Sequence, residues 1–197
     1  MSKELMTSLF YKWIGYMDNA DCCDEEKCIY FSSKKYHAQA QFYEELNSVE
    51  LSINDKITGD NLFYLHFEMI DMKITKENIL TFFRFLKDKD ITQEEVEDIH
   101  IVPMKILLSC STGMTSTYFA NKMQEVFHQN HQNVIVDAVS VFEIEKVQNY
   151  YDLILIAPQV SYTYLKLKEK FGHKVMKIDT MDYASCNIKN VIHNLVS

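Results

Sequence analysis

From residue 104 onward, short apolar runs alternate with amphipathic stretches, and this alternation constrains the fold more than any other feature of the sequence. Met104 to Ser109, Val134 to Val139, Leu153 to Ala157 and Val175 to Ile178 read as strands. Ser116 to His128, Phe142 to Asn149, Tyr162 to Phe171 and Ile188 to Val196 read as helices, the first with Phe119, Met123, Val126 and Phe127 turned inward. Strands that alternate with helices call for a parallel sheet with right-handed crossovers. Runs such as "DLILIAP" are almost continuously apolar, as strands covered on both faces must be. The expected fold of this part is therefore α/β, a four-stranded parallel sheet with flanking helices in a Rossmann-like three-layer arrangement. Ligands bind such sheets beyond the carboxyl ends of the strands, which is where Cys110 falls.

Residues 1–98 predict a small α+β domain of a different kind. Glu4 to Tyr16 and Ser33 to Leu46 read as helices, with the polar "NADCCDEEKC" between them as a loop. Ser48 to Ile57 and Leu62 to Ile70 read as a hairpin around the turn "TGDN", followed by a helix from Lys76 to Lys87 capped by Thr75. The charge-dense run Lys87 to Lys105, which contains Pro103, marks a boundary, with residues 99–103 as linker and 104–197 as the second domain. Charge divides the same way. Residues 1–103 hold 11 Lys/Arg against 20 Asp/Glu, and residues 104–197 hold 9 against 8. An acidic first domain and no basic stripe argue against nucleic acid as a partner. Fifteen of the 25 aromatic residues precede residue 104. They are mostly core, and an exposed share could form a dimer or protein-partner surface.

No window reaches the length of apolar sequence that a membrane span needs, so no membrane insertion is expected. The first residues lack the features of a secretory signal, and the chain is expected to be cytoplasmic. Five cysteines, an odd number, then argue for reduced thiols rather than a disulfide framework. Cys22, Cys23 and Cys28, with or without His37, invite a zinc reading. Structural zinc sites usually use two spaced pairs, so an exposed loop is preferred and no metal or cofactor is expected. A redox pair of Cys186 with Cys110 is a weaker candidate.

The stretch "ILLSCSTGMTSTYF", Ile106 to Phe119, carries the chemistry. A strand, a tight loop and a helix N-terminus aim several backbone N–H groups at one point, where the helix dipole adds roughly half a positive charge. Such a site holds anions and favours thiolate over thiol. Cys110 is placed as a nucleophile, with hydroxyls from Ser111, Thr112, Thr115, Ser116 and Thr117 for phosphoryl oxygens, and Gly113 allows close backbone approach. The plainer alternative makes Cys110 a small buried hydrophobe in a polar connection. A tyrosine-phosphatase loop would place an Arg at the position that Ser116 occupies, to bind the phosphoryl oxygens bidentately. With Ser there, carrying a phosphoryl group fits better than hydrolysing one.

Residues 104–197 resemble the IIB component, lactose/cellobiose type, of the bacterial phosphoenolpyruvate-dependent sugar phosphotransferase system (PTS). The likeness lies in "KILLSCSTGMTST", "DAVSVFEIE", "YDLILIAPQVSY" and "VMKIDTMDYA". It implies that Cys110 accepts a phosphoryl group from a phosphohistidine of a IIA protein and passes it to a sugar held by a IIC membrane transporter. It also implies that Ser111, Thr112, Gly113, Met114, Thr115 and Ser116 cradle the group, with Pro158, Gln159 and Tyr162 approaching the loop and Asp182 and Tyr183 matching the family's Asp-Tyr pair. Ser161 stands where the family often has a basic residue, Ala184 where it has Gly, and the typical member lacks the first hundred residues. An alternative reading is a non-transport sensor that reads PTS phosphorylation state, and a third is a thiol-dependent phosphatase. Residues 1–98 resemble no family.

Overall fold

The computed structural model describes residues 3–17, 19–87, 104–111 and 114–196. The chain divides into two compact units, Met1–Lys89 and Asp90–Ser197. The expected linker, 99–103, lies outside the described residues.

The first unit is a five-stranded antiparallel meander between two helices in sequence: α1 (Lys3–Gly15), β1 (Ala20–Cys23), β2 (Cys28–Ser32), β3 (Tyr36–Tyr43), β4 (Ser48–Asp55), β5 (Asn61–Glu68) and α2 (Met72–Lys87). Strand pairing puts Ile29, Ala40, Leu51 and Leu65 side by side on one face, with Phe31, Ala38, Ile53 and Phe63 in the next row, and all eight are buried. Both helices cover that face. Tyr11 of α1 meets Phe42 edge-on at 5.5 Å, and Phe82 of α2 meets Phe31 and Phe63 at 6.0 and 5.7 Å.

Three expectations for this unit are corrected. The helix expected over Ser33 to Leu46 is the strand β3: Ala38, Ala40 and Phe42 are buried at every second position, and pairing on both sides overrides alanine's helix preference. The expected loop "NADCCDEEKC" is the β1–β2 hairpin, with Cys23 opposite Cys28. β1 is an edge strand with exposed side chains, so it carries no apolar alternation to read. Finally, α2 begins four residues before the expected start. Asp71 caps it, its carboxylate accepting from Ile74 N–H at 2.9 Å, while Thr75 lies buried inside the helix.

Asn47 closes the β3–β4 turn with a positive φ of 47° and is 2% exposed. Its side chain accepts from the Thr7 hydroxyl at 3.1 Å and donates to the Met69 carbonyl at 2.7 Å, tying α1 to the end of β5. Asn47→Ala removes both bonds, takes the Asn47 donor from the Met69 carbonyl and puts a Cβ residue with no compensating polar group at positive φ. Denaturant unfolding is expected to report a loss of about 2–4 kcal/mol.

The second unit runs β6 (Met104–Cys110), α3 (Met114–Gln129), β7 (Val134–Ser140), α4 (Ile144–Val147), β8 (Leu153–Ile156), α5 (Tyr164–Phe171), β9 (Val175–Lys177), α6 (Thr180–Ala184) and α7 (Ile188–Val196). Its four strands are parallel in the order β7-β6-β8-β9, the α/β architecture expected from the alternation. Leu107, Ile154 and Ile156 share a buried cluster with Val141, Ile144, Val160 and Leu167, from the segments around α4 and α5. α6 was not legible in the sequence, because five residues are too few to display helical periodicity. Among the described residues, no helix is long and apolar enough to cross a membrane.

Candidate functional site

β6 is one of the two inner strands, with Ile106, Leu107 and Leu108 fully buried between layers, and Cys110 is its last residue. The register places Cys110 opposite Ser140, the last residue of β7. On the other side β8 ends one position earlier. Ala157 N–H donates to the Ser109 carbonyl at 2.9 Å, and Pro158 then starts a 3-10 turn over Pro158–Thr163. Proline suits that first position, where its fixed φ helps and its missing N–H costs nothing. The turn buries Pro158 and Gln159 at the carboxyl edge of the sheet.

Cys110 is 1% exposed, and its thiol donates to Ser116 Oγ at 2.9 Å. Ser116 is fully buried in the first turn of α3, so the sulfur sits against the positive end of a 16-residue helix. One turn further on, Phe119 stacks on Tyr183 with centroids 4.6 Å apart and planes 16° from parallel. Tyr183 belongs to α6, which follows β9 and is capped by Asp179, whose carboxylate accepts from Met181 N–H at 2.8 Å and Asp182 N–H at 3.3 Å. The ends of three strands and one helix thus bring Cys110, Ser116, Gln159 and Tyr183 together.

Burial pushes the Tyr183 phenol well above its usual range. The Gln159 amide beside it acts in the opposite direction, and charge on Cys110 or Cys186 would add to the rise. The Tyr183 hydroxyl and the Gln159 amide are neighbours without forming a hydrogen bond of good geometry. A phenol that is harder to ionise when folded stabilises the fold fully below about pH 10, its unfolded value. That contribution is lost as pH rises from there through the folded value. Melting temperatures measured from pH 8 to 11 should therefore fall less steeply above pH 10 in Tyr183→Phe than in the parent chain.

Of the remaining expected site residues, Ser111 is half-buried and its carbonyl accepts from Ser140 Oγ at 3.3 Å. Thr112 and Gly113 lie outside the described residues. Met114 and Thr115 begin α3. Tyr162 is exposed on the 3-10 turn. Asp182 is buried and faces α7, where Asn190 Nδ2 reaches both carboxylate oxygens at 2.8 Å. Burial raises its pKa, Asn190 opposes the rise, and Asp179 adds to it. In this geometry Asp182 ties α6 to α7. Two neighbours of the site were not singled out from sequence. Ser140 carries a readable signal, a polar residue closing an apolar strand just as Cys110 closes β6; Asn190 carries none.

The family model "PTS system, Lactose/Cellobiose specific IIB subunit" matches residues 105–194. Those residues are similar to IIB domains of the lactose/cellobiose type. The oligo-beta-mannoside-specific EIIB component of the PTS from Bacillus subtilis (strain 168) is 28% identical to the chain over 96 residues, covering 47% of this chain and 93% of that protein. Two solved structures are also similar. The lactose-specific IIB component domain from Streptococcus pneumoniae has 23% identity and a TM-score of 0.42, covering 47% of this chain and 97% of that one. The cellobiose-specific IIB component from Borrelia burgdorferi has 25% identity and a TM-score of 0.41, covering 47% and 88%. The similarity to PTS IIB components thus falls within the second unit.

Proposed function

We propose that the IIB-like domain carries a phosphoryl group on Cys110, taken from a phosphohistidine of a IIA protein and passed to a sugar held by a IIC transporter. The observation that carries this reading is the Cys110 sulfur at the end of β6, 2.9 Å from Ser116 Oγ in the first turn of α3. There the helix dipole favours the dianion formed on the sulfur. In the accepting step the sulfur attacks phosphorus, the S–P bond forms and the N–P bond breaks. The thiol proton ends on the released imidazole. In the donating step a sugar hydroxyl oxygen attacks phosphorus, the S–P bond breaks, and the hydroxyl proton returns to the sulfur.

Residues 111–116 form the outer cradle in this reading, and Pro158, Gln159, Tyr162, Asp182 and Tyr183 support it from the neighbouring strand ends. A buried Ser116 in place of an arginine leaves that position without the cation a phosphatase uses against its transition state, which favours a carrier. Because the sulfur is buried, the donor must uncover it on docking. Segments that follow the strand ends carry large exposed apolar side chains, Tyr118 at 60%, Phe142 at 80% and Leu165 at 77%, suited to a protein partner.

A chase tests the hand-over. The phosphorylated chain is mixed with membranes containing a IIC transporter and a β-glucoside, β-galactoside or β-mannoside. The expected result is loss of the phosphoryl group from protein with matching sugar phosphate. Release as inorganic phosphate at the same rate with and without IIC would overturn the carrier role.

A further inference from the structure

The polar atoms beside Cys110 are unevenly satisfied. Gln159 is 4% exposed and Tyr183 3%, yet both carboxamide atoms of Gln159 and the Tyr183 hydroxyl are buried without a hydrogen-bond partner. Folded proteins pair nearly all such groups, because water is lost on burial and nothing replaces it. These two are held in place by packing. Tyr183 is fixed by its stack on Phe119 and by the capped helix α6, and Gln159 by the buried turn that Pro158 starts. They follow the ends of different strands, β8 and β9, and Tyr183 lies near enough to both Gln159 and Cys110 to feel them electrostatically. Polar atoms that meet no well-formed hydrogen bond except a poor one between themselves, beside a nucleophile, describe a site built for a polar group that the resting protein does not carry.

We propose that the Tyr183 hydroxyl and the Gln159 carboxamide N–H form the inner wall of the phosphoryl site, donating to non-bridging oxygens of the group on Cys110. This inference rests on the reading of Cys110 as phosphoryl acceptor. The ligand class is a tetrahedral dianion, whose three outer oxygens all accept hydrogen bonds. Forming the S–P bond also removes the thiol hydrogen, so Cys110 no longer donates to Ser116 Oγ. Both wall groups are neutral donors. They hold the dianion without the positive charge that would stabilise attack by water, which suits a group that must be kept and passed on.

The test compares full-length parent chain, Tyr183→Phe, Gln159→Leu and, as control, Tyr150→Phe, whose ring is 72% exposed. Each is equilibrated with the same phosphohistidine donor. The equilibrium constant for transfer onto Cys110, the 31P resonance of the phosphocysteine and the melting temperature of the unphosphorylated chain are measured. Tyr183→Phe and Gln159→Leu should each lower the equilibrium constant by about tenfold. Each should also shift the 31P resonance, while the resting melting temperature holds or rises because an unpaired buried group has gone. The control should change none of these. A resonance and equilibrium constant unchanged in both variants, on a parent chain labelled at Cys110, overturn the inner wall alone. So does a loss explained by a lower resting melting temperature with the resonance unmoved. A parent chain that takes no phosphoryl group on Cys110 overturns the underlying reading as well.

Discussion

Cys110→Ala is expected to lower phosphoryl acceptance by at least about a thousandfold, because it removes the nucleophile itself and not a group that assists it. The fold should survive. The thiol is buried beside Ser116, to which it donates a weak S–H bond, and deleting the sulfur leaves a small cavity that costs about 1–2 kcal/mol. That separation of effects gives the prediction its force. Transfer kinetics from a phosphorylated IIA donor should fall to background while the melting curve moves by only a few degrees. Cys110→Ser is a sharper version. It keeps a hydrogen-bonding atom at the helix end but replaces sulfur with the less nucleophilic hydroxyl oxygen, and should be almost as inactive. Near-normal acceptance in either variant would place the phosphoryl group elsewhere.

The largest expected effect on stability lies in the first unit. Phe82 is fully buried on α2 and meets Phe31, Phe63 and Phe83 at 6.0, 5.7 and 5.3 Å. Phe82→Ala removes the hub of this aromatic cluster and should cost about 3–5 kcal/mol. For a unit of this size that is a large share of a total stability of about 5–15 kcal/mol, and the melting midpoint should drop by at least about 12 °C. If the two units fold separately, differential scanning calorimetry will show one transition moving and another staying. Cys110 should still accept phosphoryl at temperatures where the first unit has melted. A single transition that moves as a whole would contradict separate folding.

How much of this was legible in the sequence differs between the two units, for physical reasons. In the second, buried parallel strands must be apolar along their whole length, and "KILLS" and "DLILIAP" announce themselves without any need to judge a face. Loop and helix then follow at the strand end, which put Cys110 and Ser116 on one site from sequence alone. In the first, β3 reads "YHAQAQFY", and small alanines facing the core look like helix material until their neighbours on both sides are known. The edge strand β1 has almost no buried side chain to give a period. The same limit applies within the site. The orphaned Gln159 and Tyr183 atoms and the Asp182–Asn190 bonds depend on where side chains from separate strand ends meet. Strand-level patterning carries no information about that.

The central claim is that Cys110 carries the phosphoryl group, and locating that group tests it most directly. The chain is incubated with a phosphorylated IIA donor, digested under conditions that spare S–P and N–P bonds, and its peptides are sequenced by tandem mass spectrometry. The account predicts one phosphoryl mass on the peptide containing Cys110, and none in Cys110→Ala. A phosphoryl group found on a histidine such as His128 or His131, or a donor discharged with Cys110 unmodified at every time point, would contradict it.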